Sequence, residues 1–130
     1  MCKVRLLSHH GKFVVGDLNG YANANGKKDD PSAIWTVKFI ESSQISLKSA
    51  HQKYLVAEEN GLANANRDFE DSWERFRVKS KGSSQFSFKA WNGKYLVAEP
   101  DGRLNANRGV PDIWETFTVF PVENDKESVS

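Results

Sequence analysis

The chain has 130 residues, of which 38% are hydrophobic, 12% aromatic and 27% charged, and 18 Lys and Arg against 17 Asp and Glu leave a formal net charge of +1. This length supports one core, and the composition is that of a globular domain, not of a disordered chain or a membrane span. So nearly neutral a chain has no global field to draw it to nucleic acid or acidic membranes, so any charged partner must be met by a local patch.

The opening residues Met1-Cys2-Lys3-Val4-Arg5-Leu6-Leu7 enter an alternating pattern at once, without the apolar stretch and cleavage site of a secretory signal. Cys2 is the only cysteine, which excludes an internal disulfide, and no Asn-x-Ser/Thr sequon is present. These features together lead us to expect a cytoplasmic protein without a stable membrane anchor. Val4-Arg5-Leu6 alternates as a half-buried strand should, and a turn with two adjacent histidines, His9 and His10, follows it.

The second strand, Lys12-Phe13-Val14-Val15, leads into Asn19-Gly20, a pair that signals a tight type I′ hairpin because both central residues then need positive φ. The third strand is Ala22-Asn23-Ala24-Asn25. With a side-chain period of two, Ala22 and Ala24 point inward while Asn23 and Asn25 face the surface or loop pockets. A polar insertion over Lys27–Ser32 is then expected before the fourth strand.

Everything after this repeats. Lys12-Phe13-Val14-Val15 returns as Lys53-Tyr54-Leu55-Val56 and Lys94-Tyr95-Leu96-Val97, a step of 41 residues each time. The same step carries the turn to Asn60-Gly61 and Asp101-Gly102, the Asn pair to Asn64/Asn66 and Asn105/Asn107, and the opening strand to Ile45-Ser46-Leu47 and Phe86-Ser87-Phe88. The second and third copies close on Trp73-x-x-Phe76-x-Val78 and Trp114-x-x-Phe117-x-Val119. In the first copy Trp35 fits the tryptophan position only if the later residues slip, so the preferred alignment is Ile34, Val37 and Phe39.

Three units of four strands predict an all-β fold of twelve short strands, and threefold repetition at this period points to a β-trefoil. The domain is expected over residues 1–122, with repeats at about 4–44, 45–85 and 86–122. An acidic C-terminal tail over 123–130 completes the chain, with Glu123, Asp125 and Glu127 against Lys126.

Comparing the copies separates what the fold needs from what is particular to one of them. Lys12, Lys53 and Lys94 precede an aromatic in every copy, either as solvated strand starts or as a threefold ring of cations for an acidic partner. The six Asn satisfy backbone groups or, alternatively, offer amides to sugar hydroxyls, with Trp91 as a neighbouring aromatic contact. The clearest asymmetric feature is a basic cluster of Arg75, Arg77, Lys79 and Lys81, with Lys89 soon after. Arg75, Arg77 and Lys79 alternate with Phe76 and Val78, whereas the third copy has Thr116, Thr118 and Phe120 there.

Gly93-Lys94-Tyr95-Leu96-Val97-Ala98-Glu99, Leu104-Asn105-Ala106-Asn107-Arg108 and Trp114-Glu115-x-Phe117-x-Val119 resemble the repeat of fascin-like and hisactophilin-like domains, the actin-cross-linking-like family. The resemblance covers about residues 4 to 120. It implies a non-enzymatic protein that binds, and in some forms cross-links, filamentous actin through basic surface patches, at the cytoskeleton. A myristoylated start would require Gly at position 2, where this chain has Cys2.

The alternative is a carbohydrate-binding trefoil using the Asn pairs, although the Gln-x-Trp motif of ricin-type lectins is missing. No glycine-rich phosphate loop, metal-ligand spacing or nucleophile beside a base is present, so neither catalytic residues, cofactor nor metal is expected.

Overall fold

Each alternating segment forms a strand, and the computed structural model, which describes residues 2–122, is all β apart from three one-turn 3-10 helices. The tail over 123–130 lies outside the described residues. The first copy contributes β1 (Cys2–Leu7), β2 (Phe13–Gly16), β3 (Ala22–Gly26) and β4 (Trp35–Glu41). The second contributes β5 (Gln44–Lys48), β6 (Tyr54–Ala57), β7 (Ala63–Arg67) and β8 (Phe76–Gly82). The third contributes β9 (Gln85–Lys89), β10 (Tyr95–Ala98), β11 (Leu104–Arg108) and β12 (Phe117–Pro121). The short helices Pro31–Ala33, Ser72–Glu74 and Ile113–Glu115 each precede the last strand of their copy.

All twelve strands join one antiparallel sheet. Six of them close on themselves, because β1 pairs with β4, β4 with β5, β5 with β8, β8 with β9, β9 with β12 and β12 with β1. Closure leaves that ring without a free edge. The hairpins β2–β3, β6–β7 and β10–β11 extend from β1, β5 and β9.

A second cycle of bonds ties the hairpins to one another. The Gly20 carbonyl accepts the Ala65 N–H at 2.9 Å, the Gly61 carbonyl the Ala106 N–H at 2.8 Å, and the Gly102 carbonyl the Ala24 N–H at 2.8 Å. Each copy therefore bonds to the next and the third returns to the first. A Cβ on Gly20, Gly61 or Gly102 would run into Asn66, Asn107 or Asn25 at 2.8, 3.1 and 2.0 Å respectively. Glycine at the turn and the second Asn of each pair thus answer the same close approach.

The turns differ from the expected type I′. Only the glycines have positive φ, between 90° and 93°, and Gly20 N–H bonds to Asp17 O while Asp17 N–H bonds to Tyr21 O. This is a three-residue loop whose last residue is left-handed. In the first copy the Asp17 carboxylate also accepts the N–H groups of Asn19 and Tyr21, while the other copies form the same loop between Glu58 and Leu62 and between Glu99 and Arg103.

The fourth strand of the first copy also departs from the preferred alignment. Trp35 pairs with Val4 as Phe76 pairs with Ile45 and Phe117 with Phe86, so Trp35 occupies the phenylalanine position. Ser32, not Ile34 or Trp35, stands where Trp73 and Trp114 stand. The 41-residue step runs without a gap, and Lys27–Ser32 is no insertion. Burial explains the exchange, since Trp35, Phe76 and Phe117 are all fully buried, and Trp35 settles its indole N–H on the Val14 carbonyl at 3.0 Å.

The core forms as the alternation requires. Leu6, Leu47 and Phe88 fill the ring, while Val14, Leu55 and Leu96 with Ala24, Ala65 and Ala106 fill the hairpin side. The Asn of each pair are half-buried or exposed.

Candidate functional site

Three junctions arise where the short helix of one copy meets the β1–β2-type turn of the next. At the first, Ser32 Oγ and His51 Nε2 are 3.0 Å apart. At the second, Trp73 and Trp91 stack with ring centroids 4.6 Å apart and planes 2° from parallel. At the third, His10 meets Trp114 edge-on at 5.2 Å. Trp91 Nε1 donates to the Ala57 carbonyl at 2.8 Å, and His10 Nε2 sits 3.1 Å from the equivalent Ala98 carbonyl. Trp91 is thus anchored as well as exposed, and the His9–His10 pair is divided between an exposed ring and one packed on Trp114.

Beside the second junction lies a groove of about 470 Å³ lined by Gln44, Arg75, Arg77, Lys89 and Trp91. Its counterpart at the third junction, about 320 Å³, is lined at the matching positions by Gln85, Thr116, Thr118, Leu7 and His9. The fold builds the concavity; Lys81 lines the third-junction groove, and of the two only the second-junction groove sets a tryptophan beside a facing Arg–Lys pair.

The basic cluster lies on β8 and β9 as the alternation indicates. Phe76 is buried and Val78 packs on the core, while Arg77, Lys79, Lys81 and Lys89 are exposed, with no carboxylate partner among the described residues. Arg77 stands directly opposite Lys89 on one side and Gln44 on the other. Arg75 differs, because its Nε donates to Glu70 Oε2 at 2.5 Å and this bond holds its guanidinium above its ordinary pKa. Glu70 also takes Lys38 at 3.5 Å.

Lys12, Lys53 and Lys94 do not form a uniform ring of free cations. Lys53 pairs with Asp68, a position occupied by Lys27 in the first copy and Gly109 in the third.

Most of the Asn amides are engaged. Asn64 and Asn105 donate to Glu58 and Glu99, each at 3.0 Å, while Asn66 and Asn107 accept from Arg67 and Arg108 at 2.6 and 2.7 Å. Arg67 and Arg108 also pair with those same glutamates at 2.6 and 2.7 Å. In the first copy Asn23 accepts the N–H of Asn25. The sequence reading did not single out these arginine networks, although Arg67 and Arg108 recur at the 41-residue step with Gly26 in the first copy.

Among the described residues no three His, Cys, Asp or Glu side chains gather as around a metal ion, and no helix is long and apolar enough to cross a membrane. A family model described as a domain of unknown function (DUF7910) matches residues 36–130, so the chain belongs to that family. No curated protein sequence matches the chain.

Proposed function

We propose that this member of the DUF7910 family is a β-trefoil that binds actin filaments through the cationic face of β8 and β9, without catalysis, in the cytoplasm. The observation that supports it is the convergence of Arg77, Lys79 and Lys89 on one exposed face, with Lys81 exposed at the bulge beyond them and no carboxylate among the described residues to neutralise them. The third junction carries Thr118, Phe120, Val122 and Leu7 at these positions, so the fold has no need of the charge, and the first keeps only Lys38 and Lys48. An acidic filament surface would meet such a face over several contacts, each strengthened by its neighbours and weakened by salt.

Trefoil architecture is the natural reading of a six-strand ring carrying three hairpins, joined by a cycle of three turn-to-strand bonds. The carbohydrate alternative through the Asn pairs has less support, because glutamate and arginine occupy most of those amides.

Co-sedimentation with actin filaments at low and at moderate salt tests the proposal. The chain should pellet with filaments at low salt and be partly released as salt rises. Reversing Arg77, Lys79 and Lys81 to Glu should remove binding while leaving stability within about 0.5 kcal/mol per site, as for most exposed substitutions. No pelleting at low salt would end the filament reading.

A further inference from the structure

The row Gln44, Arg77, Lys89 runs across β5, β8 and β9 with each side chain directly opposite the next. At the third junction the same row is Gln85, Thr118, Leu7. At the first it is Lys3, Thr36, Lys48, where a threonine separates the two cations. Only the second junction sets two cations opposite each other, an arrangement that destabilises a sheet. Neither cation pairs with a carboxylate among the described residues: Glu70 is committed to Arg75 and Lys38, and Glu41 stands beyond Gln44 at the end of the row. Lys89 rests its ammonium over the Tyr95 ring at 5.9 Å, as Lys48 does over Tyr54, yet a positive pair in a groove without a carboxylate partner among the described residues is the arrangement that an anion completes.

We propose that this groove binds a hexose ring carrying a sulfate or phosphate ester, with Arg77 and Lys89 on the ester and Trp91 as the wall for the ring. The arginine fork meets two oxygens of a tetrahedral oxyanion, and the lysine ammonium adds a point charge. Trp91 is a rigid wall, because Trp73 covers one face and the Ala57 carbonyl fixes the indole nitrogen, yet 39% of the residue remains exposed. The matching residues at the other junctions are Ala50 and His9, so the wall and the cation pair occur together only here. About 470 Å³ is room for one sugar ring with its ester. Gln44 supplies an amide for a ring hydroxyl. The inference goes beyond filament binding, and since the two share Arg77 and Lys89, a bound ester would compete with filaments.

The test is an array of sulfated and phosphorylated hexoses printed beside their uncharged parents, probed with the whole chain and no actin. Charged members should be retained and uncharged parents should not. Retention should fall at least about tenfold in Arg77→Ala and in Lys89→Ala, and Arg77→Lys should recover part of the loss. Lys48→Ala, at the first junction, should bind like the unmodified chain. Whether sulfated or phosphorylated members are retained identifies the ester, and either supports the site. Failure to retain any charged member, equal retention of uncharged parents, or undiminished binding by Lys89→Ala would overturn it. Inorganic sulfate competing as well as a sulfated sugar would also overturn it, because the ring would then contribute nothing.

Discussion

Glu74 shows how one buried side chain links the second copy together. Only 4% exposed, it accepts the Asp71 N–H at 2.7 Å as half of a capping box and lies 3.8 Å from Arg67. Burial raises its pKa above the ordinary 4.5, against the opposing pull of the Asp71 bond and of Arg67. The folded chain therefore holds this proton to higher pH than the unfolded chain does, and losing it costs stability. That cost is absent below the ordinary value and complete above the raised one. Urea unfolding of the chain and of Glu74→Gln at about pH 4 and about pH 7 should show the wild type losing ground to the variant as pH rises. A difference that moved the other way would mean that the charged form is the one the fold favours.

At the same scale, truncating Arg67 to Ala should destabilise by about 1–3 kcal/mol, because Glu58 and Asn66 lose a charged partner together. Chemical denaturation measures it, and a change below about 0.5 kcal/mol would assign the network no stabilising role. The network was hard to read from sequence because its members come from three separate segments of a copy. Asp17, Gly26 and Ala33 replace Glu58, Arg67 and Glu74 in the first copy, so threefold recurrence, the signal that exposed the strands, was missing.

Among the elements, β2 and β4 carry an exchange of volume that residue identity concealed. Trp35 stands where the other copies have Phe76 and Phe117, and Gly16 stands where they have Ala57 and Ala98. A Cβ on Gly16 would lie 2.9 Å from Trp35 Cη2 and 2.8 Å from Ser49 Cβ, so the larger ring and the missing methyl fit each other. Gly16→Ala should cost about 1–3 kcal/mol by overpacking. Adding Trp35→Phe should relieve part of that cost, giving a coupling of about 1 kcal/mol or more in a double-mutant cycle. Simple additivity would separate the two positions. Aligning the first copy on its tryptophan or on Ile34 failed for the same reason: the core conserves filled space, and a tryptophan in a phenylalanine position looks in sequence like a shifted motif.

The strands and their inward faces were legible because a period of two and a step of 41 residues repeat three times, from Val4 to Phe86 and from Ala24 to Ala106. Turn geometry was less so. Asn-Gly suits two kinds of hairpin, and the same three-residue loop forms after Asp17, Glu58 and Glu99 alike, so the dipeptide alone does not announce the choice.

For the whole molecule, three equivalent junctions act as internal controls for one another. The ring and the hairpin cycle supply the same scaffold at each, and side chains that differ between them are free of the demands of the scaffold. By that comparison Arg77 and Trp91 stand apart, whereas Lys89 recurs as Lys48 over the matching tyrosine ring, Arg75 is balanced by Glu70 and the Asn pairs belong to the framework. The basic cluster was visible in sequence, but its meeting with Trp91 in one groove was not, because β8 and the β9–β10 turn belong to different copies.

The most direct test of this account is filament co-sedimentation at low salt with two matched double variants, Arg77→Glu with Lys89→Glu at the second junction and Thr36→Glu with Lys48→Glu at the first. The account predicts that the second-junction pair weakens binding at least about tenfold while the first-junction pair stays within about threefold of the unmodified chain. An unmodified chain that fails to pellet, or two pairs that weaken binding alike, would contradict it.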